Sequence, residues 1–220
     1  MRTAVVTFGI LLALILVLVS CVEQPAIVTP NPAVPENEKP AEHPKIEQAK
    51  PLISPEVRDL LSMHKTRVQS VSYKYKGPES GDFLYDFYVK GQKIKYSPQR
   101  DKKYFDKEDS YNYIFIDKAN KTAESYCLQV CPYPGKKGDL NYDGVYVSTI
   151  LDWIDEITSA EKVGEEALDN RNTWKLDTNK GIFWVDTFYG VPLKVESSGK
   201  TYRFYQVAVN SVTDADTNPS

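Results

Sequence analysis

Three cysteines are the side chains of this 220-residue chain best suited to covalent chemistry. Cys127 and Cys131 stand in the segment CLQVC, and Cys21 closes an apolar run near the start of the chain. A structural zinc site needs four ligands, and no second cysteine pair or nearby histidine completes such a set around CLQVC. An exported chain meets an oxidising milieu, which favours a disulfide between Cys127 and Cys131. Cys21 is then the odd cysteine and needs its own explanation.

The two histidines offer no usual catalytic arrangement. His43 lies in a proline-rich segment, and His64 lies on the apolar face of a predicted helix, where a core histidine is the ordinary interpretation. No Gly-x-Ser-x-Gly elbow, phosphate-binding glycine loop or free thiol accompanies them. We therefore expect a protein that is not an enzyme, with no catalytic residues and no cofactor. The net charge of −3 gives no electrostatic basis for a nucleic-acid partner.

A short acidic segment resembles the first half of a calcium-binding loop. Asp139, Asn141, Asp143 and Gly144 fit the opening D-x-N-x-D-G of that motif. Position twelve of the loop, which needs an acidic ligand, is Ile150 here. A turn rich in Asn, Asp and Gly before a helix is the favoured interpretation, so no metal is predicted.

Asn120-Lys121-Thr122 has the form of an N-glycosylation sequon. It lies in the turn-rich piece DKANK. Asn120 is a glycosylation candidate only in a host that glycosylates exported proteins.

Residues 4–20 form an apolar segment behind a single basic residue, Arg2. Such a segment, followed by a sharp change to polar residues, is typical of an export signal. It is also close to the roughly 17–25 apolar residues that span a bilayer. Composition alone leaves both interpretations open.

The boundary residues Leu18-Val19-Ser20-Cys21 resemble the lipobox of prokaryotic lipoproteins. The resemblance implies that the Cys21 thiol receives a diacylglyceryl group and that residues 1–20 are removed as a signal peptide. An uncleaved membrane anchor and a chance cysteine are the alternatives. Because each buried CH₂ contributes about 0.8 kcal/mol, two acyl chains would hold the protein durably on the extracytoplasmic face of the cell membrane.

The segment after Cys21 is proline-rich and contains no aromatic residue up to Pro55. It cannot bury enough apolar area to offset its ordering entropy, so residues 21–53 are predicted to be a disordered, extended tether. A folded domain is expected over residues 54–216, followed by a disordered tail at 217–220.

Two helices and about ten strands are predicted in the domain. Ser54 and Pro55 favour the start of one helix, and Thr149 with Asp152 forms a capping box for a second at about 149–158. Period-two alternation predicts strands over 71–76, 83–90, 92–97, 111–117, 122–128, 161–168, 171–178, 181–190, 191–198 and 201–210. Both faces of the last strand carry apolar residues and would need cover. The expected fold is mainly β (α+β): a curved antiparallel sheet forming an incomplete barrel, with two or three helices on its concave side.

The C-terminal piece resembles the closing segment of the outer-membrane lipoprotein-sorting superfamily, the LolA/LolB/LppX-like proteins. The matching positions are Trp184, Asp186, Gly190, Pro192, Leu193, Asn210 and Asp214. The early segment from LLSMHKTRV to QKIKYS similarly resembles that family's first helix and opening strands. The resemblance covers most of residues 56–216 and implies a half-barrel whose concave face holds acyl chains or another hydrophobic ligand.

The leading hypothesis is therefore a membrane-anchored lipoprotein that binds lipid or lipoprotein acyl chains in the cell envelope. The candidate cavity residues are Tyr73, Tyr75, Phe83, Tyr85, Phe87, Tyr113, Phe115, Trp153 and Trp184. The alternative is a structural or sensing module whose sheet is covered by its own side chains and which binds a protein partner. An exported enzyme is the third and least favoured hypothesis.

Overall fold

The computed structural model describes residues 53–219. The predicted signal peptide, Cys21 and almost all of the tether lie outside the described residues. The helices are α1 (Pro55–Arg67), α2 (Tyr142–Val145), α3 (Ile150–Asp155) and α4 (Asp214–Thr217), with 3₁₀ turns at Pro78–Ser80 and Lys102–Asp106. The strands are β1 (Ser70–Lys76), β2 (Tyr85–Lys90), β3 (Lys93–Ser97), β4 (Tyr113–Asp117), β5 (Thr122–Cys127), β6 (Gly135–Leu140), β7 (Ala160–Leu168), β8 (Arg171–Thr178), β9 (Gly181–Asp186), β10 (Pro192–Ser197) and β11 (Lys200–Val209).

All eleven strands belong to one antiparallel, open sheet, which is consistent with an incomplete barrel. Its order is β6-β5-β4-β3-β2-β1-β11-β10-β9-β8-β7. The two chain halves therefore form two meanders that meet where β1 pairs with β11. This confirms the mainly β fold class predicted from the sequence.

The two faces of the sheet differ in what covers them. The inner face carries residues such as Tyr73, Phe87 and Phe204 and packs against apolar residues of α1 and α3. The outer face carries the alternate residues. Examples are Lys74 of β1, which lies opposite Asp86 of β2, and Tyr88 of β2, which lies opposite Lys95 of β3. Because side chains alternate along a strand, the register assigns each residue to one face.

The two predicted helix starts have the expected caps. Ser54 Oγ accepts a hydrogen bond from the Val57 backbone N–H, and α1 buries Val57, Leu60, Leu61 and His64. In α3, Thr149 and Asp152 form the predicted capping box. The helix ends at Asp155, three residues earlier than predicted.

Two strand predictions were incomplete. The segment GKKGDL forms β6 at one edge of the sheet and was not predicted, because it lacks the β-branched and aromatic residues that mark a strand. The expectation that both faces of β11 need apolar cover was wrong. Ser72 pairs with Ala208 and Lys74 pairs with Tyr205, so two residues of β11, Gln206 and Val207, lie opposite the single residue Tyr73 of β1. Gln206 is the extra residue, and its φ of 52° marks a β-bulge. Phe204 before the bulge and Val207 after it are both buried as parts of the inner-face core.

Several residues that carry the sequence resemblance hold the end of the sheet near α1. Asp186 Oδ1 accepts hydrogen bonds from the backbone N–H groups of Phe188 and Tyr189 at 2.9 and 2.7 Å. This turn delivers Gly190 against the backbone of α1. Asn210 bonds with backbone groups at both ends of the connection between α1 and β1, since its Oδ1 accepts from the Gln69 N–H at 2.8 Å and its Nδ2 donates to the Arg67 carbonyl at 3.0 Å.

The last helix, α4, lies against β2 and β3 on the outer face, where Asp214 pairs with Lys90 at 2.9 Å. Thr217 is buried and is the last residue of α4, one position past the predicted domain boundary at 216. None of the helices within residues 53–219 has the length and hydropathy to cross a membrane.

Candidate functional site

The inner face was expected to offer the ligand cavity, and five of the nine cavity candidates lie there. They are Tyr73, Tyr75, Tyr85, Phe87 and Trp153. Their rings pack against one another and against neighbouring core residues: Tyr73 and Phe87 stack with centroids 5.2 Å apart, and Trp153 contacts Tyr202 at 4.7 Å.

Helix α3 covers this aromatic cluster directly. The Tyr73 hydroxyl accepts a hydrogen bond from the Ile150 backbone N–H at 3.3 Å, and only 3% of Tyr73 is exposed. The Tyr96 hydroxyl donates to the Val145 carbonyl at 2.7 Å. Burial raises the pKa of both phenols well above the ordinary value. The space between the central strands and α3 is thus occupied by the protein's own side chains.

The other four candidates do not face that space, which corrects the prediction. Tyr113, Phe115 and Trp184 lie on the outer face, because their strand partners there are Tyr126, Lys95 and Lys194. Phe83 precedes β2 and is 39% exposed. Period-two alternation separates a strand into two faces but does not say which face meets the helices, and aromatic content favoured the wrong face here.

On the outer face, lysine side chains cover these rings. Lys95 Nζ lies 4.5 Å from the ring centroid of Tyr88 and 5.2 Å from that of Tyr113. Desolvation by these neighbours lowers the pKa of Lys95. Trp184 lies under Lys194 and Lys175 at 4.0 and 5.0 Å. These are cation–π contacts that shield large rings from water.

An open cavity of about 670 Å³ lies over the outer side of β11. We name this cavity the outer groove. One wall is formed by β1 and the residue before β2, the other by the turn between β7 and β8, and the floor by β11 and the start of β10. Its lining residues are Lys74, Lys76, Leu84, Asp169, Asn170, Arg171, Leu193, Phe204, Tyr205, Gln206 and Val207. Its volume is within the range of about 300–1,000 Å³ that is usual for ligand sites.

The outer groove exists because β10 and β11 separate. Their pairing runs from Ser197–Lys200 to Lys194–Arg203 and stops there, although β11 continues to Val209. Pro192 begins β10 and has no N–H to continue the ladder. Next to the point of separation, Gln206 forms the bulge in a backbone conformation that is uncommon for a residue other than glycine. Bulges of this kind are over-represented beside functional sites.

The groove walls are rich in cations, most of which have carboxylate partners. Lys74 pairs with Asp86 at 2.5 Å, Arg171 with Asp186 at 3.4 Å, and Arg203, beside the groove, with Asp169 at 3.1 Å.

Lys76 differs from these cations, because its Nζ donates to the Gly81 carbonyl at 2.5 Å. It makes no ion pair with a carboxylate of residues 53–219. The groove therefore combines a floor of β11, from which Tyr205 faces outward beside Lys74, with one cation available to an anionic group.

Sequence reasoning did not identify any of the polar groove residues. Lys74 and Lys76 have the appearance of ordinary solvent-facing lysines in a strand. One signal was present in TYRFYQVAVN, where the apolar residues Phe204 and Val207 are separated by an odd number of positions. That break in alternation indicates a bulge at Tyr205 or Gln206.

The remaining predicted sites have separate places in the structure. Cys127 and Cys131 form the predicted disulfide at the end of β5, with their Cα atoms 6.0 Å apart. Asn120 is exposed in the turn between β4 and β5, where its Nδ2 donates to Asp117 Oδ2 at 2.8 Å. Cys21 lies outside the described residues.

The residues of the calcium-like segment serve other purposes. Asp139 is in β6 and pairs with Lys136 at 2.8 Å, and Asn141 caps α2 by accepting from the Asp143 N–H at 3.1 Å. No group of three or more His, Cys, Asp or Glu side chains within residues 53–219 is arranged to hold a metal ion.

No protein-family model and no curated protein matches this sequence. Several solved structures align with about three quarters of this chain at low sequence identity. The mycobacterial lipoprotein LppX from Mycobacterium tuberculosis is 11% identical, with a TM-score of 0.44 over 73% of this chain and 96% of LppX. LprF from Mycobacterium bovis is 12% identical, with a TM-score of 0.44 over 76% of this chain and 99% of LprF.

A third similar structure is the MucA/MucB complex from Pseudomonas aeruginosa, at 10% identity and a TM-score of 0.43. The alignment covers 75% of this chain but 60% of that one, so the chain spans about three fifths of its length. LppX belongs to the superfamily that the sequence motifs resemble.

Proposed function

We propose that this chain is a non-enzymatic lipoprotein, anchored in the cell membrane through Cys21, whose folded domain binds a protein partner in the outer groove. The observation that carries the proposal is the contrast between the two faces of the sheet. Side chains of the protein occupy the central inner face, where an acyl chain was expected, whereas the outer groove is open and has a ligand-sized volume.

The order of segments supports the same function. A lipidated Cys21 would fix the chain at the membrane, and the proline-rich segment to Pro55 would let the domain reach a partner up to roughly 100 Å away, at about 3.1 Å per residue. This arrangement suits an anchored binding module better than a shuttle that must leave the membrane.

Acyl chains of a lipid or lipoprotein are the second candidate ligand. The partly exposed apolar side chain of Leu84 in the groove lining favours this class. An acyl chain would then bind on the outer face rather than on the inner face that the sequence resemblance implies.

One crosslinking experiment separates the two ligands. A photoreactive phenylalanine analogue replaces Tyr205 in the groove of the full-length protein in native membranes. Tyr113, an outer-face tyrosine of β4 outside the groove lining, is replaced in the matched control. We expect a discrete protein adduct from position 205 and none from position 113. Lipid adducts without a protein adduct would support the second candidate, and no adduct from position 205 would contradict both.

The anchor is tested by the intact mass of the membrane-extracted protein. We expect a chain that begins at Cys21 and carries a diacylglyceryl group, and a Cys21→Ser variant that keeps its leader and lacks the lipid. A full-length mass with unmodified Cys21 would contradict lipidation.

A further inference from the structure

We propose that the partner of the outer groove is an extended peptide segment with an acidic side chain, which adds as a short strand along the free side of β11. This inference rests on the proposed function and specifies its ligand. It follows from the backbone of β11, from the groove above it and from the charge on the groove wall.

The backbone supplies the first argument. Phe204 and Tyr205 pair with β1 on one side, and Gln206 and Val207 form the bulge opposite Tyr73. The register of β11 with β10 has already ended at Arg203. No strand among residues 53–219 pairs with this stretch on the β10 side. Four residues at about 3.3 Å each give roughly 13 Å of free edge. A free edge of this kind is the template that peptides use in strand addition.

The groove supplies room along this edge. The cavity is lined by all four residues of the stretch, and the turn at Asp169 and Asn170 forms its opposite wall. Its 670 Å³ suits a segment of a few residues better than a whole secondary-structure element.

In the absence of a partner, Arg171 supplies a hydrogen bond to one backbone carbonyl of the free edge. Its Nη2 donates a hydrogen bond to the Val207 carbonyl at 2.6 Å. A backbone N–H of an incoming strand would make the same contact, and the displaced guanidinium would keep its other partner, Asp186. Exchange of one donor for another costs little, because no buried carbonyl is left without a hydrogen bond.

Charge decides which peptide fits. Lys76 lies on the groove wall and makes no ion pair with a carboxylate of the described residues, whereas Asp169 on the other wall is already paired with Arg203. A glutamate or aspartate on the added strand would gain a charge-assisted hydrogen bond from Lys76. A lysine at that position would be repelled.

Defined peptides test the inference on the full-length mature protein in neutral-lipid nanodiscs. The probe is a fluorescent, capped six-residue peptide of alternating valine and glutamate, and the comparison peptide alternates valine and lysine. We expect the acidic peptide to bind at least ten times more tightly. Methylation of alternate backbone nitrogens, which keeps the side chains and removes the N–H donors, should weaken its binding at least tenfold.

Two protein variants complete the test. Lys76→Glu should weaken acidic-peptide binding at least tenfold. Lys200→Glu, at the exposed first residue of β11 and outside the groove lining, should leave it unchanged. Binding should also slow hydrogen exchange of the Phe204–Val207 amides. Undiminished binding by the N-methylated peptide, an unaffected Lys76→Glu variant, or no binding of either peptide would overturn the inference. If a protein adduct at position 205 persists in that case, the proposed function stands and strand addition fails.

Discussion

Gly190 lies so close to α1 that a Cβ atom on this residue would be 2.3 Å from the carbonyl oxygen of Leu60. Its φ of 69° also belongs to the region that glycine adopts most readily. The residue ends the turn between β9 and β10 that Asp186 holds. The contact explains why a glycine follows the aromatic Phe188-Tyr189 pair: no larger residue lets the turn approach the helix.

Substitution Gly190→Ala should therefore destabilise the domain through both strain and steric overlap with backbone. We expect the free energy of unfolding to fall by at least about 2 kcal/mol. Gly199→Ala is the matched control, because Gly199 has a φ of 73° and a Cβ added there would meet no atom within 4 Å. It should cost about 1 kcal/mol from conformation alone. Denaturant unfolding of both variants measures the difference, and equal losses would contradict the close contact with α1.

Asp152 is predicted to contribute stability that disappears in acid. Burial alone would raise the pKa of its carboxyl, but hydrogen bonds from Lys118, Thr149 and Tyr146 outweigh burial and lower it. Since the folded pKa lies below the unfolded value of about 3.9, this stability is present above about pH 4 and is lost as the pH falls through the folded pKa.

The variant Asp152→Asn tests whether this stability is lost in acid. It should unfold about 1–3 kcal/mol more easily than the natural chain near neutral pH, and the gap should narrow below about pH 4. Asp59→Asn, at an exposed position of α1, serves as control. It should leave the free energy of unfolding unchanged both near neutral pH and below about pH 4. A gap for Asp152→Asn that widens in acid would contradict the assignment.

The buried tyrosines predict the opposite dependence in alkali. Burial raises the pKa of Tyr73 and Tyr96 above the unfolded value of about 10. A raised folded pKa means that stability is fully present below about pH 10 and is lost as the pH rises further. A titration of tyrosinate absorbance should show part of the tyrosines ionising only together with loss of the near-ultraviolet circular dichroism. Smooth ionisation of all tyrosines in the folded protein would contradict the buried positions.

The sequence was sufficient to predict most of the strands, but it did not predict which face of the sheet is covered by helices. Strands such as β8 and β10 are recognisable because β-branched and aromatic residues alternate with polar ones. The groove arises from two local exceptions instead, a proline at the start of β10 and one extra residue in β11. Such exceptions can be interpreted from sequence only when both neighbouring strands and their register are known.

Lysine side chains explain why some predicted cavity residues lie on the outer face. Phe115 and Trp184 are large and apolar, which favours the core, yet both are buried on the outer face under lysine stems. The aliphatic part of a lysine can cover a ring while its ammonium group stays in water. Hydrophobicity alone therefore indicated burial correctly and the side of the sheet incorrectly.

The local disulfide should contribute modestly to stability. Cys127 and Cys131 close a loop of five residues, for which the chain-entropy account gives about 2 kcal/mol or less. We expect Cys127→Ser with Cys131→Ser to remain folded with a melting temperature lowered by several degrees, and to keep peptide binding in the outer groove, which these cysteines do not line. Loss of binding in a folded double variant would show that the β5–β6 end of the sheet influences the groove.

Deletion of Gln206 should close the groove without changing which residues form the core. Because Lys74 pairs with Tyr205 and Ser72 with Ala208, removal of residue 206 leaves Val207 opposite Tyr73 and restores a regular ladder. The deletion also removes a residue held at positive φ, so the free energy of unfolding should stay the same or rise by about 1 kcal/mol. Binding of the alternating valine–glutamate peptide should fall at least tenfold, because the bulge that forms part of the groove floor is lost. Gln206→Gly, which keeps the bulge and relieves its strain, is the matched control and should bind as the natural chain does. A deletion variant that folds and still binds the peptide would show that the bulge plays no part in recognition.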